Sequence, residues 1–357
     1  MAQDTSMAKR TTVEIRGEDF YIDGRPTYED RFWAGYRIEG LLFNSRMVQA
    51  TFDDRNADTR PRWAYPDSNV WDPDRNVEEF VGMLPEYRKN GLLAVTLNLQ
   101  GGSPESYSRE QPWENSGFDA DGQLRPAYLA RLARVLDSLD KLGMVAILGL
   151  FYFGQDERLR DESAVVGAVD GVVDSLLERE YRNVVVEIAN ECDVPRYEHE
   201  VLQPHRIHEL ISRVRDRSRD GRHLLAGTSF RGRSVPSAEV LAASDLALLH
   251  GNGVMESGFI QEMVERTRER SPGRPIPIVF NEDDHYDFDL PTNNLTVATQ
   301  CHASWGFFDA GPGAGGKTAH SDYQEGYQNV PVNWSINTPR KRSFFDLVRQ
   351  VTGSDAS

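Results

Sequence analysis

Short apolar segments alternate with longer amphipathic ones along the chain, from about residue 35 to the C-terminus. The apolar segments are rich in Val, Ile, Leu and Phe along their whole length, which is typical of parallel strands covered on both faces. This pattern predicts eight strands, at residues 40–44, 92–99, 145–153, 184–190, 224–230, 246–252, 277–282 and 304–310.

The segments between these strands carry apolar residues at spacings of three and four, which predicts helices. The clearest helical stretches lie at residues 77–91, 126–143, 169–181, 204–218, 259–270 and 340–353. Strands that alternate with helices fit a (β/α)₈ barrel or a doubly wound open sheet. No glycine-rich phosphate fingerprint follows the first strand, which weakens the dinucleotide-binding form of the open sheet.

The placement of polar residues favours the barrel. They concentrate at the C-terminal ends of the predicted strands, and in a barrel these ends converge on one mouth where catalytic sites are built. The residues at these strand ends are Asn44, Asn98, Gln100, Tyr152, Gln155, Asn190, Glu191, His250, Asn252, Asn281, Glu282 and Trp305. The expected fold class is therefore α/β, a (β/α)₈ TIM barrel.

The chain is expected to form one domain. Residues 12–29 alternate in polarity around Asp23-Gly24, a hairpin turn signal, and predict a short N-terminal β-hairpin before the barrel. Residues 11–357 would then form a single catalytic barrel that includes this hairpin, with residues 1–10 disordered and the last five frayed. The glycine-rich stretch at 311–317 lacks phosphate-loop spacing and is predicted to be a flexible loop.

Composition narrows the range of partners. The formal net charge is −16 and the sequence pI is about 5.0, so most of the surface would repel nucleic acid, whereas a neutral carbohydrate fits. The two cysteines, Cys192 and Cys301, imply no disulfide framework. No apolar run approaches the roughly 20 residues of a membrane span, and no export segment is visible at the start. We expect a cytoplasmic protein without membrane or nucleic-acid partners; the oligomeric state is left open.

The sharpest local feature is the segment VVVEIANEC at residues 184–192. A β-branched run ends in Asn190-Glu191, and the period of two places Glu187, Ala189 and Glu191 on one face. A carboxyl group at the rim of an apolar barrel has its charged form disfavoured, which suits a general acid. The alternative is a purely structural role, in which Glu191 caps the following helix.

A second carboxylate ends the segment PIVFNE at residues 277–282. By alternation Glu282 shares a face with Ile278 and Phe280, and it can face Glu191 across the barrel mouth. Carboxyl groups about 5–5.5 Å apart would make Glu282 a nucleophile in a retaining mechanism, whereas about 6.5–9.5 Å would indicate inversion. The sequence leaves that distance open.

The segment VVVEIANEC resembles the strand-four signature of the large clan of (β/α)₈ retaining glycoside hydrolases (clan A), and distantly its cellulase family, glycoside hydrolase family 5, with a Glu-x-x-Asn-Glu pattern. The resemblance implies that Glu191 is the acid/base, that Glu282 at the end of the seventh strand is the nucleophile, and that Trp305 forms the floor of a sugar subsite. This sequence departs from the family pattern at Cys192, where Pro is usual, and at His250-Gly251-Asn252, which lacks the expected Tyr.

Further polar residues are candidates for binding substrate. His250 could hydrogen-bond the nucleophile or a sugar hydroxyl, or be a satisfied core residue. Arg46 could position the nucleophile or an anionic sugar, or form a surface ion pair with Asp53 or Asp54. The predicted substrate-binding set is Asn190, His250, Asn252, Trp305, Tyr152, Asn98, Gln100, Arg46 and Asn281.

We expect neither a cofactor nor a metal ion. The acidic cluster Asp283, Asp284, Asp287 and Asp289 lacks EF-hand spacing, so whether it binds a cation stays open.

The function expected from the sequence is a retaining glycosidase that acts on oligosaccharides or small glycosides through a covalent intermediate. One alternative is a metal-dependent barrel hydrolase or lyase with Glu191, His250, Glu282 and Asp284 as ligands. Another is a non-catalytic barrel that binds glycans. The sugar, the linkage and exo or endo action do not follow from the sequence.

Overall fold

The described chain starts with short antiparallel strands and continues as a series of parallel strands and helices. The computed structural model describes residues 11–105, 108, 110–311 and 325–354. The segment 1–10, most of the glycine-rich loop and the last three residues therefore lie outside the described residues. Strands β1 (Val13–Arg16), β2 (Asp19–Ile22) and β3 (Arg25–Pro26) form an antiparallel sheet, and β4 (Phe32–Trp33) pairs with β5 (Tyr36–Arg37).

Every predicted barrel segment overlaps a parallel strand, although the first, at 40–44, shares only Asn44 with the observed strand. The strands are β6 (Asn44–Arg46), β7 (Ala94–Asn98), β8 (Val145–Phe151), β9 (Val184–Ala189), β10 (Leu225–Gly227), β11 (Ala247–His250), β12 (Ile278–Glu282) and β13 (Gly306–Phe307). Six of them pair in the order β10-β9-β8-β7-β6-β13, and β11 pairs with β12.

Backbone hydrogen bonds close the two remaining seams of the barrel. Between β12 and β13, the Phe280 N–H donates to the Ser304 carbonyl at 2.9 Å. Between β10 and β11, the Asp245 N–H donates to the Ala226 carbonyl at 2.9 Å. The strands therefore form one closed ring, and the open-sheet alternative is wrong.

Eight helices flank the described strands. They are α1 (Pro73–Lys89), α2 (Pro126–Leu142), α3 (Glu162–Glu178), α4 (Ile207–Asp216), α5 (Ala238–Ala243), α6 (Gly258–Arg270), α7 (Asn294–Gln300) and α8 (Pro339–Thr352). The sequence pattern predicted all except α5 and α7, which have 6 and 7 residues and are too short to show a helical repeat. Among the described residues, no helix has both the length and the apolar character needed to cross a membrane.

The apolar core has two layers separated by the strands. The larger layer lies between the strands and the helices, and the smaller one fills the N-terminal half of the barrel interior. Val13 of β1 and Phe20 of β2 pack into the smaller layer, so the N-terminal hairpin covers that end of the barrel. Only the C-terminal end is left for a site. The inner layer comprises Val13, Phe20, Leu42, Leu93, Ala94, Val145, Ile147, Val185, Leu246, Leu248 and Val279.

Candidate active site

Four charged or titratable side chains from different strands meet at the C-terminal mouth. Arg46 ends β6, His250 ends β11 and Glu282 ends β12, while Glu191 follows two residues after β9. Parallel strands bring these ends together although the residues lie far apart in the chain.

Glu282 has one ion-pair partner and one hydrogen-bond donor, and it is 4 % exposed. Its Oε2 lies 2.8 Å from Arg46 Nε in a buried ion pair, and its Oε1 accepts a hydrogen bond from Asn252 Nδ2 at 2.5 Å. Burial, the largest single effect, would lower the pKa of the Arg46 guanidinium, but the surrounding acidic groups, Glu282 first among them, together outweigh it and raise that pKa. A permanent cation therefore compensates the Glu282 charge.

An irregularity in strand pairing turns Glu282 into the mouth. Ile278 and Phe280 face the helices, whereas Val279 faces the barrel interior. The expectation that Glu282 shares its face with Ile278 and Phe280 is therefore wrong. The register between β11 and β12 shifts just before His250, so that His250 lies opposite Glu282. The shift lets the carboxylate leave the outer face that strict alternation would give it.

The backbone turns sharply at Glu191. Its φ is 50°, in the left-handed region that costs a non-glycine residue on the order of 1–3 kcal/mol. The Glu191 N–H donates to Ser229 Oγ at 2.9 Å, and the Cys192 N–H donates to the Ser229 carbonyl at 3.0 Å. Ser229 thus holds the turn that directs Glu191 toward the other polar groups.

His250 lies between the two carboxylates. Its Nδ1 is 3.0 Å from Glu191 Oε1 and 3.6 Å from Glu282 Oε2, and the ring is fully buried. Burial, the largest single effect, would lower the pKa of His250, but the neighbouring carboxyl groups, Glu282 first, and the hydrogen bond to Glu191 together outweigh it and raise the pKa. One ring nitrogen therefore connects both carboxyl groups.

Tyr152 lies near these charged groups at the mouth. It is 8 % exposed and stacks on Phe153 at 4.3 Å between ring centroids. Burial raises the pKa of its phenol, and Arg46, Glu282 and Glu191 all act on it electrostatically. The ring therefore stays neutral and supplies an apolar face with a polar tip beside the carboxylates.

Trp305 does not reach the mouth, which corrects its expected place beneath a sugar. The side chain is fully buried on the helix side of β13, and its Nε1 donates to Asp283 Oδ2 at 2.9 Å. Its ring packs against Phe288 and Phe344, at 5.9 and 6.0 Å. The reason is alternation, since Gly306 takes the inward position. Phe308, which the sequence analysis missed, has its ring centroid 5.7 Å from the Arg46 guanidinium carbon.

The predicted amide residues occupy different depths. Asn252 contacts Glu282 at the mouth, whereas Asn281 lies inside the barrel, where its Nδ2 donates to Glu187 Oε2 at 3.3 Å. Asn98 is 1 % exposed, also inside the barrel.

The other two predicted amide residues are buried in the loops around the mouth. Gln100 is fully buried, and its Nε2 donates to Ser116 Oγ at 3.2 Å and to the Gln155 carbonyl at 3.3 Å, which joins two loops. Asn190 is 2 % exposed beside Glu191, and its carbonyl accepts from the Tyr197 hydroxyl at 2.6 Å.

The acidic segment after β12 forms its own cluster. Within the part of the chain that the structure describes, one group of His and acidic side chains has ligand atoms within 4.8 Å of one another: Asp283, Asp284 and His285. The Asp283 oxygens already accept from Trp305, from His285 at 2.8 Å and from Asn294 at 2.9 Å. Asp283 thus connects β12 to neighbouring elements. Of the alternative metal-ligand set Glu191, His250, Glu282 and Asp284, the first three meet at the mouth, but the four do not form a group of ligand atoms within 4.8 Å among the described residues.

The site also contains two buried residues, Glu187 and Ser229, that sequence reasoning did not select. Glu187 lies on the inward face of β9, a position that the period-two pattern of this segment predicts. Ser229 carried no signal, because its role arises from its position in the tertiary structure.

The fold and the carboxylate pair define a closed (β/α)₈ barrel with a charged site at its C-terminal mouth. The chain matches no protein-family model and no curated protein. It is similar to solved structures of a glycoside hydrolase family 5 mannosidase from Rhizomucor miehei (13 % identity, 97 % of this chain and 99 % of that one, TM-score 0.55). It is also similar to a β-glucosidase from Thermotoga maritima (12 % identity, covering 90 % of this chain and 99 % of that one, TM-score 0.52). These similarities, at 12–13 % identity, show a (β/α)₈ barrel fold that the chain shares with solved glycoside hydrolase structures.

Proposed function

We propose that the protein is a retaining glycoside hydrolase in which Glu191 is the general acid/base and Glu282 the nucleophile. The observation that carries this proposal is that both carboxylates contact one nitrogen of His250, at 3.0 and 3.6 Å. Such a pair at the mouth of a glycosidase-like barrel can act on opposite sides of a glycosidic bond.

The surroundings of the two carboxylates support different roles. Glu282 has a buried cation, Arg46, and the Asn252 amide as partners, which fix the carboxyl group in place and offset the charge that a nucleophile carries. The Glu191 side chain is more exposed, 16 % against 6 %, and its Oε1 lies 3.0 Å from His250 Nδ1, a titratable partner with which it can share a proton. Glu191 therefore suits proton transfer with the leaving group and with water.

The shared contact also bears on stereochemistry. The nearest oxygens of Glu191 and Glu282 cannot lie further apart than the 3.0 and 3.6 Å contacts to His250 Nδ1 laid end to end. This upper limit is at the lower edge of the about 6.5–9.5 Å found in inverting enzymes. The geometry therefore favours direct attack by Glu282 over attack by an intervening water.

The reaction then has two steps. Glu191 donates its proton to the glycosidic oxygen while Glu282 attacks the anomeric carbon, so that the C–O bond to the leaving group breaks and a glycosyl ester forms. Glu191 next removes a proton from water, the water oxygen attacks the anomeric carbon, and the Glu282 carboxylate leaves. Arg46 and Asn252 stabilise that carboxylate when it is regenerated.

The substrates that fit this proposal are oligosaccharides or small glycosides, in keeping with the carbohydrate partner and cytoplasmic location expected from the sequence. Tyr152, Asn190 and Asn252 are the side chains at the mouth that we propose contact the sugar. Because the similar structures include a mannosidase and a β-glucosidase, β-mannosides and β-glucosides come first in a screen.

The test is turnover of a panel of aryl glycosides, followed by two substitutions. We expect Glu282→Gly to lose activity and to regain it with azide, and Glu191→Gln to lose activity most strongly on substrates with poor leaving groups. The matched control is Asp284→Asn, which should retain activity, whereas a metal-dependent barrel hydrolase would lose it. A glycan-binding barrel without catalysis would turn over no substrate yet still bind sugars in both glutamate variants.

A further inference from the structure

A layer of polar side chains lies inside the barrel directly beneath the proposed catalytic pair. We call it the polar layer and define it as Thr96 and Asn98 of β7, Glu187 of β9 and Asn281 of β12. None of the four is more than 1 % exposed. Barrel interiors are ordinarily filled by branched apolar residues, so a polar layer here needs a reason.

Glu187 connects this layer to both catalytic carboxylates. The Ser229 hydroxyl lies close enough to act on the Glu187 carboxyl group, and its oxygen accepts the N–H of Glu191 at 2.9 Å. On the other side, Asn281 donates to Glu187 Oε2 at 3.3 Å and immediately precedes Glu282 in the chain. One side chain therefore supports the backbone of both Glu191 and Glu282.

The neighbouring strand leaves room for this arrangement. Gly149 of β8 lies beside the layer, and a β-carbon at that position would collide with the Asn98 side-chain oxygen and lie 3.4 Å from Glu187 Oε2. Gly149 thus allows Asn98 and Glu187 to approach the β8 backbone, where any larger residue would displace them.

Several buried polar atoms of the layer have no hydrogen-bond partner in the described chain. They are Thr96 Oγ1, both Asn98 side-chain atoms, Glu187 Oε1 and Asn281 Oδ1, and His250 Nε2 above them also has none. Burying polar groups that lack partners is unfavourable, so packing alone does not account for this layer. Acceptors predominate in this set, and a proton on Glu187 Oε1 would supply a donor among them.

The charges that face Glu187 are already balanced. Its cationic neighbours are Arg46, which pairs with Glu282, and His250, which pairs with Glu191. An ionised Glu187 would be a third anion without a cation of its own, and burial raises its pKa. The remaining titratable groups that interact with Glu187 are Tyr197 and Cys192, whose pKa values burial raises, so both stay neutral.

We propose that Glu187 is a positioning residue, a neutral carboxylic acid that holds Ser229 and Asn281 and thereby aligns Glu191 and Glu282. This inference rests on the proposed glycosidase function. As a neutral group it also leaves the His250–Glu191 pair free of a further negative charge, so that the proton they share remains available to a leaving group.

The test compares Glu187→Gln, Glu187→Leu and the control Asp140→Asn, using an aryl glycoside that the wild type hydrolyses. Gln keeps the shape and hydrogen bonds of a neutral acid, so kcat should stay within about threefold, whereas Leu should lower kcat up to about 100-fold at nearly unchanged KM, as expected of misaligned catalytic groups. Asp140 is a buried residue away from the mouth, and its Oδ1 accepts a hydrogen bond from the Thr11 N–H at 3.1 Å. The Asp140→Asn variant should therefore retain kcat. Equal losses in Gln and Leu, or no loss in Leu, would overturn the proposal.

A second measurement needs no substrate. The ring of His250 can be titrated by NMR in the resting protein, with the His250→Gln variant assigning its signals. Glu187→Gln should leave the titration midpoint within about 0.3 pH units, because it replaces one neutral group by another. A midpoint lowered by a unit or more would mean that Glu187 is ionised, and would overturn its neutral role even if the glycosidase proposal holds. If no glycoside is hydrolysed, an unchanged midpoint still supports the neutral state.

Discussion

Individual residues at the barrel mouth are matched in charge. Arg46 compensates Glu282 at 2.8 Å, and His250 faces Glu191 at 3.0 Å, with both basic groups almost completely buried. Buried charges without partners are strongly destabilising, so each of these side chains constrains the others. The site is therefore a coupled unit whose response to pH follows from its pairs.

His250 should make stability depend on pH in a defined direction. Its pKa in the folded protein is raised above the unfolded value of about 6.5, so its contribution to stability is fully present below about pH 6.5 and is lost as the pH rises through the folded pKa. His250→Gln should therefore lower the free energy of unfolding more at pH 5.5 than at pH 9. Urea denaturation at both pH values measures this. An equal loss at both would show that His250 contributes by packing alone.

Elements, rather than single residues, decide which side chains face the mouth. In β13 the alternation turns Trp305 toward the helices, and in β12 a register shift brings Glu282 inward. The left-handed turn after β9 does the same for Glu191. Strand geometry thus separates an aromatic residue of the core from the carboxylates of the site, although each stands at a strand end in the sequence.

Trp305→Phe should affect stability and not substrate binding. The substitution removes one of the two N–H donors to Asp283 Oδ2, the Trp305 indole at 2.9 Å, and leaves the Asn294 amide; losing a buried hydrogen bond of this kind costs on the order of 1–3 kcal/mol. We expect the free energy of unfolding to fall by that amount while KM stays within about twofold. Tyr152→Ala, as the comparison, should raise KM. A large rise in KM for Trp305→Phe without loss of stability would contradict the observed orientation.

The whole molecule has one closed end and one open end. The N-terminal hairpin packs Phe20 into the apolar layer inside the barrel, and the polar residues gather at the opposite end. Stability and function are thereby placed at different ends of the same barrel, as is general for this fold. Changes at the hairpin should consequently affect folding without altering the site.

Phe20→Ala tests this separation. Phe20 is fully buried, and deleting a buried phenyl ring costs about 3–5 kcal/mol, so chemical denaturation should show that loss. Phe32→Ala is the matched control, because Phe32 is 60 % exposed and its loss should change stability by less than about 0.5 kcal/mol. Both variants should keep the wild-type kcat. A lowered kcat in folded Phe20→Ala would show that the hairpin influences the mouth.

The pattern of apolar and polar residues along the chain was sufficient to predict the eight strands, the six longer helices and the positions of Glu191 and Glu282 at strand ends. Apolar runs, helical spacing and strand ends are properties of neighbouring residues, so they are visible in the sequence. Tertiary structure alone decided the direction of Glu282 and Trp305, the pairing of Arg46 with Glu282 rather than Asp53 or Asp54, and the link from Glu187 through Ser229. These features depend on register shifts and on partners from distant strands, which no local pattern records.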